Sequence, residues 1–228
     1  TTALRQPGSS IKPLNYALAL TRGFTPASVI DDSPITYKTP GTANYSPVNY
    51  DGKFHGKVTL RTALGSSYNI PAVKILAANG VSTFIEFARK LGISSWVDPS
   101  NYGLSLTLGG GEVTMLDMAT AYGVLANSGS RVDLHPILSV HDSTGKLLEE
   151  FRCKPGTWHL APGTYAADAV EITDCDSTPV LDPKVAYLIS NILSDNSARA
   201  PAFGFSSDLN VPNVAVKTGT TDNKKDNW

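Results

Sequence analysis

Apolar residues recur at helical spacing in several stretches of the chain and alternate with polar ones in others, and this patterning lays out the elements. Leu14-Asn15-Tyr16-Ala17-Leu18-Ala19-Leu20 reads as a helix closed by Gly23. Pro13 lies just inside it, so the first turn should bend or leave the Ser9 carbonyl without an amide partner. Val58 to Leu64 reads as a short helix ending near Gly65, Ser66 to Pro71 as a loop, and Ala72 to Ala78 as a helix with Pro71 in its first turn. Further helices are predicted from Val81 to Leu91, from Thr114 to Leu125, and from Pro183 to Leu193 behind Asp182. Two alternating runs, Ile137 to Val140 and Leu147 to Phe151, flank Asp142-Ser143-Thr144-Gly145, a hairpin-turn composition. Val214 to Thr221 is a β-rich run in which Lys217 and Gly219 share one face and Thr218 and Thr220 the other. A polar turn, Asp222 to Asp226, should lead to a partner strand opened by Trp228. From Thr25 to Gly56 periodicity lapses among Pro, Asp, Tyr and Gly, which predicts an extended excursion packed around a site.

Composition narrows the classes. A chain of 228 residues with 41% hydrophobic and 17% charged positions is an ordinary globular protein, long enough for one sizeable domain or a domain with a lobe. A formal net charge of -1 gives no global basic field for nucleic acid or an anionic membrane. No run has the apolar length of a bilayer span. Thr1 to Arg5 reads as the tail of something already under way, with the true N-terminus expected elsewhere. The cysteines, Cys153 and Cys175, fall beside Pro-Gly turns in a segment, about 152–180, that reads as a surface insertion; they are either bridged or free. His55, His135, His141 and His159 are scattered and read as turn or surface residues, no zinc spacing is present, and no cofactor is called for.

Candidate chemistry starts at Arg5-Gln6-Pro7-Gly8-Ser9-Ser10-Ile11-Lys12-Pro13. If a helix begins after Gly8, Ser9 and Lys12 lie one turn apart on one face, a hydroxyl beside an amine. Lysine can act as the serine's base when burial or a second cation depresses its pKa. Ser-x-x-Lys is a short pattern and recurs as Ser143-Thr144-Gly145-Lys146, where the turn chemistry explains it. Gly109-Gly110-Gly111 lacks the following Lys-Ser/Thr of a phosphate loop and reads as close backbone packing at a helix start.

Ser9-x-x-Lys12, Ser67-x-Asn69 and Lys217-Thr218-Gly219 stand in order along the chain, and together they resemble the serine transpeptidases called penicillin-binding proteins and their relatives the serine β-lactamases. Ala63 to Val73, Leu108 to Thr114 and Lys217 to Thr221 are similar to the transpeptidase domain of bifunctional, class A members, whose upstream glycosyltransferase domain and terminal sheet strands are not in this sequence. Ser194-Asp195-Asn196 is a literal Ser-Asp-Asn, but its place at a predicted helix end favours a cap, and the setting between two helices favours Ser67.

The resemblance implies a mixed α/β fold, an antiparallel sheet flanked by helices beside a helical lobe, with the sheet incomplete here and the Lys217 strand exposing unpaired edges. It implies a D,D-transpeptidase acting on peptidoglycan stem peptides and acylated by β-lactams, at the outer face of a bacterial cytoplasmic membrane, held there by an anchor outside this chain. Ser9 is the implied nucleophile and Lys12 its base. Ser67 would relay a proton, Asn69 would hold substrate and orient Lys12, and Lys217 would supply positive potential. Thr218 would bind a substrate carboxylate, and the N–H groups of Ser9 and Thr220 beside Gly219 would form the oxyanion hole. Which group first takes the serine's proton stays open. A β-lactamase needs a carboxylate to activate water, and none of Glu86, Glu112, Glu149, Glu150 and Glu171 opens a Glu-x-x-Leu-Asn segment. A D,D-carboxypeptidase, and a penicillin-binding sensor or scaffold without turnover, are the other readings.

Overall fold

Helix α1 (Lys12–Thr21) is buried from Lys12 to Leu20, as a helix without a polar face must be. The structure, a computed structural model, describes residues 2–38, 44–132, 134, 137–150, 154–155, 173–174, 177–221 and 226–228. After α1 come β1 (Val29–Asp32), β2 (Gly56–Thr59), α2 (Leu60–Gly65), α3 (Asn69–Asn79), α4 (Val81–Leu91), α5 (Met115–Ala126) and β3 (Ser130–Arg131). Then follow β4 (Ser139–His141), β5 (Leu147–Glu150), β6 (Lys154–Pro155), β7 (Thr173–Asp174), β8 (Thr178–Pro179), α6 (Pro183–Ser194) and α7 (Asn196–Phe203). Helices α2, α3, α4 and α6 pack around α1, and α5 packs on α4 and α6. Leu14, Leu60, Leu64, Leu76, Phe84, Ile189 and Ile192 form the core between them, each essentially without solvent contact. No single helix among the described residues is long and apolar enough to cross a membrane.

A polar pair locks α1 to α3 inside this core. Asn15 Nδ2 donates to the Ala72 carbonyl (3.0 Å) and to Thr107 Oγ1 (2.9 Å), while Asn79 Nδ2 donates to the Asn15 carbonyl (3.0 Å) and to its Oδ1 (2.9 Å). Buried amides satisfied in this way fix the register of two helices that apolar contacts alone would let slide.

The described strands form antiparallel pairs, β1 with β2, β3 with β8, β4 with β5 and β6 with β7. The β4–β5 hairpin stands where Ser143-x-x-Lys146 was read as a turn: Asp142 N–H donates to the Lys146 carbonyl and Asp142 Oδ1 accepts from the Thr144 and Lys146 amides. Cys153 and Cys175 lie outside the described residues, so their pairing is not addressed by the structure.

Several boundaries differ from the sequence reading. The excursion from Thr25 to Gly56 contains β1, and Val58 and Thr59 belong to β2 opposite Ile30 and Val29 rather than to a helix. Two β-branched residues pair there, and Thr59 then caps α2 by accepting from the Thr62 amide. Helix α3 begins at Asn69 with Pro71 as its third residue, which is tolerated because first-turn amides need no intrahelical acceptor. Pro13 does not orphan the Ser9 carbonyl: Gly8–Ile11 tightens into a 3-10 turn, and that carbonyl accepts from the Lys12 amide. The run around Lys217 is only partly a strand, with bridging confined to Thr220 opposite Asn227. Helix α7 was not foreseen.

Candidate active site

Three backbone stretches meet at Ser9, and glycine lets them. Gly8 has φ of 54°, and a Cβ there would lie 2.5 Å from the Thr220 carbonyl oxygen. A Cβ on Gly109 would lie 2.2 Å from the Gly8 nitrogen, and one on Gly219 2.4 Å from the Pro7 oxygen. The close packing expected of the Gly109 run is therefore against the turn that carries Ser9. Arg5 and Val113 exchange both main-chain hydrogen bonds, Ser10 Oγ donates to the Pro7 carbonyl (2.6 Å), and Tyr122 donates its hydroxyl to the Ser10 carbonyl (2.8 Å). The turn carrying Ser9 is thus held from both sides, with Ser9 itself half-buried.

Lys12 is fully buried, and its ammonium position faces the loop before α3. Lys12 Nζ donates to the Ser67 carbonyl (2.6 Å), to Asn69 Oδ1 (2.7 Å) and, at 3.3 Å, to Ser67 Oγ. Its described bonds do not include one to Ser9 Oγ; the amine is aimed at the Ser67 loop instead. Ser67 has φ of 58°, a left-handed conformation that turns its carbonyl and its hydroxyl towards the two lysines. Lys217 Nζ, from the far end of the chain, donates to Ser67 Oγ (2.8 Å) and to the Thr218 carbonyl (2.7 Å).

Two ammonium-bearing side chains converging on one hydroxyl without a carboxylate have predictable electrostatics. Burial and the Lys217 charge hold Lys12 well below the usual lysine range. Burial, with Arg199 behind it, brings Lys217 down to about 7. Desolvation and like charges both disfavour the ammonium forms, so they act in one direction.

Asn69 is itself positioned. Its amide donates to Asn49 Oδ1 (2.8 Å) and its Nδ2 to the Val48 carbonyl (2.8 Å). Asn49 Nδ2 in turn donates to both carboxylate oxygens of Asp32 (2.9 and 2.8 Å), a residue with no solvent exposure. His55 adds its main-chain N–H and Nδ1 to Asp32, reaches Asp51 through Nε2, and stacks on Tyr68 at 3.9 Å between ring centroids. Sequence reasoning took His55 for a turn or surface residue; the structure corrects this, because Asp32 comes from a strand the sequence hid.

The cleft over these groups measures about 760 Å³ and is lined by Ser9, Asn49, Tyr50, Asp51, Ser66, Ser67, Tyr68, Asn69, Leu108, Thr218, Thr220 and Thr221, with Pro201, Ala202 and Phe203 of α7 on one side. Ser9, Ser67, Asn69, Thr218 and Thr220 are therefore in one cavity, with Lys12 and Lys217 reaching its floor through Ser67. Gly219 and Trp228 exchange both main-chain bonds, which leaves the Thr220 N–H turned away from that partner. No glutamate lines the cleft among the described residues, Glu171 being outside them, and Asp51 is its acidic lining residue. Ser194-Asp195-Asn196 is a helix junction: Asp195 caps α7 by accepting from Ser197 and Ala198 and pairs with Arg61 at 2.9 Å.

The profile of the penicillin binding protein transpeptidase domain matches residues 1–227. The chain belongs to this family. Penicillin-binding protein 1A of Neisseria meningitidis is 36% identical over 228 residues, covering 99% of this chain and 26% of that protein; its namesake from Rickettsia felis is 31% identical over 232 residues and is covered to 28%. The chain thus spans about a quarter of the length of the curated relatives it matches. Penicillin-binding protein 1A from Haemophilus influenzae superposes with a TM-score of 0.70 at 32% identity, over 87% of this chain and 30% of the other. Penicillin-binding protein PonA1 from Mycobacterium tuberculosis superposes with a TM-score of 0.71 at 24% identity over 96% of this chain and 54% of that one, which speaks to the fold. The mixed α/β penicillin-binding transpeptidase fold expected from the three motifs is the one found.

Proposed function

We propose that this domain catalyses D,D-transpeptidation of peptidoglycan stem peptides through an acyl-Ser9 intermediate, and that β-lactams acylate the same serine. The observation that carries the reading is the convergence of Lys12 Nζ and Lys217 Nζ on Ser67 Oγ in the cleft that also holds Ser9. Penicillin-binding protein A from Mycobacterium tuberculosis, a relative in fold, is described as a ceftriaxone acyl-enzyme complex.

A neutral Lys12 has two N–H donors and one lone pair. The Ser67 carbonyl and Asn69 Oδ1 take the two donors at 2.6 and 2.7 Å, which leaves the lone pair to receive a proton. Ser9 Oγ attacks the carbonyl of the D-Ala-D-Ala bond as its proton passes to Lys12. The Ser9 and Thr220 N–H groups stabilise the tetrahedral oxyanion, a contribution of about 3 kcal/mol per donor. The C–N bond then breaks as Ser67 Oγ passes its own proton to the departing amine and takes one from the Lys12 ammonium, 3.3 Å away, with Lys217 keeping the relay polarised and Lys12 left neutral again. An amine from a second stem peptide attacks the ester and gives its proton back along the same route, restoring Ser9. Thr218 holds the substrate carboxylate.

The domain works at the outer face of a bacterial cytoplasmic membrane, where its substrate is, within a longer protein that carries the anchor and a glycosyltransferase. Labelling of the intact protein with a fluorescent penicillin, with mass mapping of the adduct, tests the assignment. An adduct on Ser9 that disappears in Ser9→Ala is expected; an adduct elsewhere, or rapid hydrolysis of the penicillin, overturns it.

A further inference from the structure

Helix α7 (Asn196–Phe203) closes the back of the cleft and is tied to both halves of the site. On one side Gly65 abuts it, since a Cβ there would lie 2.9 Å from Ala198, and Ser66 Oγ donates to the Ala198 carbonyl (2.9 Å), next in sequence to Ser67. On the other side stands Arg199, 3% exposed. Its guanidinium donates to the Leu193 carbonyl (2.5 Å), the Leu209 carbonyl (2.9 Å) and Asn196 Oδ1 (3.4 Å). The Leu193 carbonyl also accepts from the Val216 amide (3.0 Å), the residue before Lys217. One carbonyl at the end of α6 therefore joins Arg199 to the Lys217 segment.

A buried guanidinium normally sits against a carboxylate. Arg199 makes no ion pair among the described residues: Asp195, one turn earlier, is taken by Arg61 and by the capping amides. Its charge is satisfied only by neutral oxygens, and its field is therefore left to act on whatever lies beside it. The charged groups on the elements packed around Lys217 are Lys12 of α1, Arg61 of α2, Asp195 capping α7, Arg199 of α7, Asp208 in the loop after α7, and the outer pair Arg5 and Asp226. Arg199 and Lys12 are the buried ones.

We propose that Arg199 is a positioning residue for the acyl transfer, anchoring the Lys217 segment through the shared Leu193 carbonyl and serving as the fixed cation behind Lys217. It rests on the reading of Ser9, Lys12 and Lys217 above. A cation in that place limits how far up the pH scale Lys217 keeps its own proton, which agrees with the lowered Lys217 pKa to which Arg199 contributes. Because a charged Lys217 supports acylation in this scheme, the alkaline limb of the rate reports on Arg199.

The test uses the intact protein and measures the second-order rate of acylation by fluorescent penicillin from pH 5.5 to about 10, the span over which a shifted lysine titrates. Arg199→Met should acylate about tenfold more slowly near neutrality, and its alkaline limb should move up by on the order of one pH unit. Arg199→Lys keeps the cation without the planar fork, so it should lose rate while its alkaline limb stays where the wild-type limb is. An unmoved limb in Arg199→Met, or a wild-type profile without an alkaline limb, overturns the proposal. If Arg199→Met does not fold, Arg199→Lys decides alone: a limb displaced upward, or a wild-type rate throughout, overturns it. Ser9→Ala measured alongside keeps the questions apart, since labelling that survives there refutes the nucleophile and not Arg199.

Discussion

Lys217 Nζ donates to Ser67 Oγ at 2.8 Å across 150 positions of chain, and the same hydroxyl lies 3.3 Å from Lys12 Nζ. Two amines that would repel if both were charged share one small acceptor, and in the proposed mechanism the proton passes through that hydroxyl. Ser67→Ala should reduce acylation by about 10²- to 10³-fold, the usual range for a positioned proton-transfer group. Stopped-flow labelling with a fluorescent penicillin checks this; a loss under tenfold would remove Ser67 from the relay.

Lys217→Gln removes the charge that helps hold Lys12 down. The Lys12 pKa then rises, and because the neutral amine is the active form, the acid limb of the acylation rate should shift to higher pH. At pH 6 the variant should therefore lose more rate than at pH 8. Equal losses at both would show that Lys217 acts on substrate alone.

The two lysines also tie stability to pH. A lysine whose folded pKa is depressed binds fewer protons in the folded than in the unfolded state, so stability rises with pH between the folded value and the ordinary lysine value of 10.5. For Lys217 the window opens at about 7. Thermal midpoints should climb from pH 7 to 9, and Lys217→Met should raise the midpoint at pH 7 by on the order of 3 °C while flattening that slope. Calorimetry at two pH values decides it.

Gly109→Ala places a methyl 2.2 Å from the Gly8 nitrogen, where only backbone can yield, and Gly109 itself has φ of 93°. We expect a loss of about 3 kcal/mol by urea denaturation and a larger drop in acylation than in stability, because the displaced group is the turn bearing Ser9.

Asp32→Ala removes the carboxylate that the His55 main-chain N–H and Nδ1 contact, and leaves Asn49 Nδ2 only the Lys53 carbonyl at 2.8 Å. About 3 kcal/mol of stability should go, as for a buried charge-assisted network, and acylation should fall with it as Asn49 releases the start of α3. Asp32→Asn should lose less, which chemical denaturation of both variants will show.

How much of this was legible beforehand depended on the range of the contact. The helices with clear spacing, α1, α4, α5 and α6, were readable, as was the hairpin around Gly145, because period and turn chemistry are local. The candidate site was readable only as three separated motifs whose order carried a resemblance. Strand β1 was hidden because Val29–Asp32 has one outward valine and two aspartates, and its pairing with β2 is what makes it a strand. Asn49 and Asp51 stood in the stretch flagged as surrounding a site, without any sign of which atoms they would hold. Arg199 gave no local signal at all: its environment is assembled from Leu193, Leu209 and the Lys217 segment, and α7 holds an internal proline that argues against a helix.

The left-handed backbone at Ser67 has an evolutionary corollary. Glycine would relax that φ of 58°, yet only a residue with a hydroxyl can also occupy the meeting point of the two amines. Conformational comfort and reactivity thus make opposing demands on a single codon. Searches for hardier versions of this domain should find position 67 unyielding and obtain their gains from the periphery.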